Sequence, residues 1–97
     1  MGAPQGSEVA AEDTQRVNNC KDAINQKTGK NYESFKVDKV SHQVVAGTNH
    51  FYHLTAQPGD DKWTVTIFEP LPGGNAQCEV SEVSQGHKDH LIGHGSQ

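Results

Sequence analysis

Lys30-Asn31-Tyr32-Glu33-Ser34-Phe35-Lys36-Val37-Asp38-Lys39-Val40-Ser41-His42-Gln43-Val44-Val45 is the stretch in which the apolar period of this chain changes from 3.6 residues to 2. Phe35, Val37, Val40, Val44 and Val45 carry the new period, and the alternation slips between Val37 and Val40. Such a slip predicts a bulge or kink in one long strand. Upstream, Ala10, Val17, Cys20 and Ile24 recur at helical spacing, with Ala23 broadening the stripe among Asp, Gln, Asn, Arg and Lys. Ser7 reads as the N-cap with Glu8 in the first turn. Gly29, between Lys27 and Lys30 by two residues or fewer, reads as the stop. The expectation is one amphipathic helix over residues 8–28.

Downstream, Tyr52, Leu54 and Ala56 alternate with Phe51, His53 and Thr55, and Pro58-Gly59-Asp60-Asp61 is a turn. Trp63, Val65 and Ile67 alternate with Thr64, Thr66 and Phe68, the clearest strand in the chain. After the loop Pro70-Leu71-Pro72-Gly73-Gly74-Asn75, Cys78 and Val80 begin another strand. Consecutive strands on short connections pair antiparallel, and the helix alone can cover their apolar face. The predicted fold is α+β, an antiparallel sheet of four to five strands wrapped around one long α-helix. Residues 1–97 form one domain, with residues 1–8 a flexible arm and residues 86–97 a polar tail.

Composition agrees. Ninety-seven residues with 32% apolar and 21% charged content supply a thin core, suited to one helix on one sheet. A net charge of −4 and no run of Lys or Arg longer than a pair speak against nucleic acid as a partner. No segment approaches the roughly 20 apolar residues of a membrane span. Met1 to Glu8 has neither the basic flank nor the apolar run of a signal peptide, so a cytoplasmic location is expected, a trimmed secretory precursor reading the same way. In a reducing compartment Cys20 and Cys78 are expected to be two buried thiols, the competing reading being a single long-range bridge.

Two turns are unusual. Gln43-Val44-Val45-Ala46-Gly47 puts apolar residues at a hairpin tip, where exposure costs solubility and marks a docking surface. On spacing alone, the valines ending a buried strand is an equal reading. Leu71 and Pro72 repeat the oddity. In an antiparallel meander the first and third connections emerge at the same end, and the arm reaches that end too. The three segments would form an apolar wedge with no nucleophile, acid or base.

These segments resemble those of the cystatins, specifically the disulfide-free intracellular branch, the stefins. Gln43-Val44-Val45-Ala46-Gly47-Thr48-Asn49 resembles the stefin first hairpin, Leu71-Pro72-Gly73 the second, and Gly2-Ala3-Pro4 the glycine-containing arm. The resemblance covers Gly2 to about Leu91. It implies a reversible, tight inhibitor of papain-like cysteine peptidases such as cathepsins, acting as a monomer without cofactor. By the same resemblance the peptidase-binding residues are Gly2, Gln43, Val44, Val45, Ala46, Gly47, Leu71 and Pro72. Val45 is expected to be the exposed central anchor, and Gly6 is a second candidate for the arm glycine. His87, His90 and His94 belong to the polar tail, and His50 and His53 fall on opposite faces of a strand, so no metal site is expected. Neither cysteine is placed as a nucleophile, so the chain is not expected to be an enzyme.

Overall fold

The structure, a computed structural model, describes residues 5–73 and 78–88. Gln5–Ser7 forms a short strand, β1. Two helices follow, α1 at Ala11–Asn19 and α2 at Lys21–Thr28. Four longer strands complete the chain: β2 at Ser34–Val45, β3 at Gly47–Gln57, β4 at Asp61–Glu69 and β5 at Glu79–Gln85. All neighbours are antiparallel, in the order β1-β2-β3-β4-β5. The register of β2 on β3 shifts between Val37 and Lys39, where the apolar alternation slips.

The single helix over residues 8–28 is corrected in two respects. It starts at Ala11, because Ser7 is paired with Val40 in the sheet. Ala10 takes the cap position, exposed, and the Asp13 carboxylate accepts the Ala10 backbone N–H at 3.0 Å. An acid in the first turn thus does what the serine was expected to do. The helix is also interrupted at Cys20, whose φ of −101° and ψ of 19° leave the helical region. The Cys20 N–H approaches both the Arg16 and Val17 carbonyls at 3.1 Å, the tightening that ends a helical turn. The stop at Gly29 agrees with expectation. Its φ of 73° is left-handed, and its N–H donates to the Asn25 carbonyl at 2.9 Å.

Cys20 and Cys78 are joined in a disulfide, with their Cα atoms 5.1 Å apart, and this corrects the expectation of two free thiols. The two stand 58 positions apart in the sequence, and their closeness comes from the packing of α2 against β5.

Val17 and Ile24 of the helices are fully buried against Val40, Tyr52, Leu54 and Val65 of the sheet. Each such side chain contributes about 1.5–3 kcal/mol by leaving water. The chain after β5 turns back onto the sheet. The Gly86 N–H donates to the Lys62 carbonyl at 2.7 Å, and the His87 ring stacks on His53 at 4.4 Å. Residues 86–88 therefore pack where a solvated tail was expected, while His90 and His94 lie outside the described residues.

Candidate functional site

The register brings the unusual turns to one end of the sheet. Val45 pairs with Gly47 across a tip made by Ala46, and Thr48 of the same hairpin pairs with Glu69, the last residue of β4. The second loop therefore leaves the sheet beside the first hairpin. β1 runs antiparallel to β2, with Gln5 opposite His42 and Ser7 opposite Val40, so Gln5 is its residue nearest this end.

Gly47 locks the arrangement. Its φ is +119°, and a Cβ there would lie 2.5 Å from the Phe68 ring and 2.6 Å from the Glu69 carbonyl oxygen. Only a residue without a side chain lets the hairpin base settle onto β4. The tip beyond it is apolar and faces solvent. Val44 is 66% exposed, Leu71 58%, and Ala46 and Pro72 are exposed as well. Neither Val44 nor Val45 joins the core. Val45, expected to be the exposed anchor, is half-buried, so Val44 presents the larger free surface. Gln43 is half-buried opposite Asn49. Gly2 lies outside the described residues, as do Gly74 and Asn75 of the second loop.

Behind this end a polar cluster fills the space between the start of α1 and the sheet. The Tyr52 hydroxyl donates to Asp13 Oδ1 at 2.9 Å and accepts from the Arg16 guanidinium at 2.7 Å. Arg16 also approaches Asp13 at 3.2 Å and Glu69 at 3.5 Å. His50 Nε2 lies 2.8 Å from Glu69 Oε1, and its Nδ1 lies 2.7 Å from His42 Nδ1. Burial pushes the Tyr52 hydroxyl well above the usual phenol range. Burial, then the charge of Arg16 and the neighbouring His42, hold His50 below its ordinary value against the pull of Glu69. The hydrogen bond from His50 in turn holds Glu69 below the usual carboxylate range, with Arg16 assisting. The pairing of His42 with His50 was missed from sequence. It was readable once Ala46 was taken as the tip, because the two stand equally far from it on facing strands.

Comparison with known proteins places the chain. Cystatin-B of Mus musculus is 31% identical over 91 residues, which cover 92% of this chain and 91% of the relative. The chain belongs to the cystatin family. Human cystatin-A is 28% identical over 95 residues, 95% of each chain, and places it with the type 1 cystatins, or stefins. The structure of a secreted type 1 cystatin from Fasciola hepatica superposes with a TM-score of 0.70 at 21% identity, covering 88% of this chain and 96% of the other, which establishes the shared fold. No protein-family model matches the chain. The Cys20–Cys78 bridge departs from the disulfide-free branch that the sequence was expected to resemble.

Proposed function

We propose that this cystatin is a reversible, tight-binding inhibitor of papain-like cysteine peptidases, cathepsins among them, and is not an enzyme. The observation that carries the reading is the alignment of two exposed apolar turns, at Val44 to Ala46 and at Leu71 to Pro72, along the end of the sheet that β1 also approaches. The proposed peptidase contacts are Gly2 of the arm, which lies outside the described residues, residues 43–47 of the first hairpin, and Leu71 and Pro72 of the second. Turns held by short strand connections lose little conformational entropy on docking, so buried apolar area converts into affinity. Catalysis has little support, because both cysteines are joined to each other and neither thiol is free to attack. The inhibitor acts as a monomeric single domain over residues 1–97.

The bridge bears on where it acts. Disulfides persist in oxidising compartments and are reduced in the cytosol. An oxidising compartment therefore suits this chain better than the expected cytoplasm. Among the described residues no helix is long and apolar enough to cross a membrane.

Titrating a fixed amount of papain with the folded protein tests the reading. Stoichiometric, reversible loss of activity, with trypsin unaffected and the inhibitor uncleaved, is the expected result. Full papain activity under a large molar excess would leave a cystatin-fold binding module without inhibition.

A further inference from the structure

Asp13, His42 and His50 come from α1, β2 and β3, and one ligand atom of each lies within 4.8 Å of the others. The proton positions in this cluster follow from its contacts. A carboxylate only accepts, so at neutral pH the Nε2 of His50 carries the proton that it gives to Glu69. That leaves the Nδ1 of His50 with a bare lone pair, aimed at the Nδ1 of His42 2.7 Å away. The two nitrogens share a single proton, which the Nδ1 of His42 holds. If that proton moves to Nε2 of His42, both Nδ1 lone pairs face the gap between the two rings. A carboxylate that orients an imidazole through its far nitrogen is the usual outer support of a metal-bound histidine, and Glu69 stands in that position.

The third group also has capacity. A carboxylate offers about four acceptor positions. Asp13 uses three, for the Ala10 N–H, the Tyr52 hydroxyl and Arg16. The cluster opens on a cleft of about 370 Å³ that Glu8 and Glu12 also line. Four carboxylates thus face one guanidinium, and a cation is favoured there despite Arg16.

The geometry points to a binding site for a divalent transition-metal ion of the zinc or copper class, held by Nδ1 of His42, Nδ1 of His50 and an Asp13 carboxylate oxygen. Two imidazoles, one carboxylate and an open position facing water match the preferences of these ions, whereas calcium and magnesium favour all-oxygen sets. Metal–nitrogen bonds of about 2.0–2.1 Å require the two nitrogens to separate to roughly 3.3 Å in a tetrahedral site. Side-chain rotation of His42 supplies that adjustment. The ion would clasp β2 to β3 behind the first hairpin. Nothing in this site depends on peptidase inhibition, so either reading can fail without the other.

Zinc chloride and, separately, copper(II) chloride titrated into the full chain at neutral pH test the site by calorimetry. Imidazole nitrogen NMR of the zinc-titrated protein locates the ligands without any substitution. One saturable equivalent is expected, with the Nδ1 resonances of His42 and His50 moving together. His42→Ala should weaken zinc binding at least tenfold, while His90→Ser with His94→Ser leaves it unchanged. Zinc-dependent shifts confined to His87, His90 and His94, or no saturable binding of either ion at millimolar concentration, would overturn the assignment.

Discussion

The two tight turns that join β2 to β3 and β3 to β4 solve the same backbone problem at opposite ends of the sheet, and they do so with opposite chemistry. The far turn, Gln57 to Asp61, is polar and exposed, with a cis Gln57–Pro58 bond and a glycine at φ +106°. The Gln57 side chain donates to Asp60, and Tyr32 donates to Asp61. The near turn, Val45 to Gly47, also uses a glycine of positive φ, but it holds Val44 and Ala46 in water and satisfies no solvent with them. A turn needs only the first kind of chemistry. The second lowers solubility and makes sense as surface kept for a partner.

The largest expected effect concerns what ties the near end together. The Cys20–Cys78 bridge anchors the chain just where the second loop rejoins the sheet at β5, and nothing covalent holds the far turn. A bridge across 58 positions stabilises by about 4 kcal/mol through loop entropy. Cys20→Ser with Cys78→Ser should lower the unfolding free energy by about that amount in denaturant titrations. Amide exchange should rise at Glu79 and Val80 more than at Gln57 to Asp61. Equal acceleration at both ends would mean that the bridge acts on the whole fold and not on the near end.

The next effect separates partner surface from fold. Val44→Asp should weaken papain inhibition by about 2–4 kcal/mol, the range of a central contact residue. Its melting temperature should stay close to that of the native chain, because the side chain is already in water. Asp60→Val at the far turn should leave inhibition unchanged. Val45→Asp, at a half-buried position, should lower both inhibition and stability. If Val44→Asp inhibits normally, the near turn is not the contact surface.

The glycines give a smaller contrast. Gly47→Ala forces a methyl against the Phe68 ring and the Glu69 carbonyl, whereas at Gly59 the nearest atom to such a methyl is 3.8 Å away. Both carry the backbone strain of a positive φ, about 1–2 kcal/mol. Overpacking adds about 1–3 kcal/mol at Gly47 only. Thermal unfolding of the two variants should differ by that margin, and equal losses would mean that Phe68 yields freely.

The parts legible in the sequence were those governed by side-chain periodicity. The bulge after Val37 showed as a slip in the apolar alternation, and the stop at Gly29 and the turn at Pro58 to Asp61 rested on the conformational preferences of glycine and proline. β1 was not legible, because its three residues carry no apolar alternation for the pattern to read. The break at Cys20 escaped for a related reason. The apolar stripe continues through it from Val17 to Ile24, and the pattern records which face is buried, not whether the hydrogen bonds run on. The exposed hairpin tips stood out as apolar residues in turns. Which valine faces water depended on the register at Gly47, and the cluster around His50 depended on tertiary placement of α1 over β2, β3 and β4.

The smallest effect tests whether the near end is also the acid-sensitive one. Folded His50 resists protonation, chiefly because it is buried, so its value lies below that of the unfolded chain. As the pH falls through about 6.5, the unfolded chain takes up a proton there that the folded one refuses, and stability declines. Glu69 acts in the same direction at lower pH. Its hydrogen bond from His50 favours the ionised form, so its contribution is complete above the ordinary carboxylate range and lost as the pH falls through its lowered folded value. Melting temperatures measured from pH 8 to pH 4, with a chelator present to keep the cluster free of metal, should therefore fall progressively on the acid side of 6.5. His50→Gln removes the first component, so its curve should be flatter between pH 7 and pH 5. An unchanged slope in His50→Gln would assign the acid sensitivity to groups away from the hairpin, and the near end would then differ from the far turn in its surface chemistry alone.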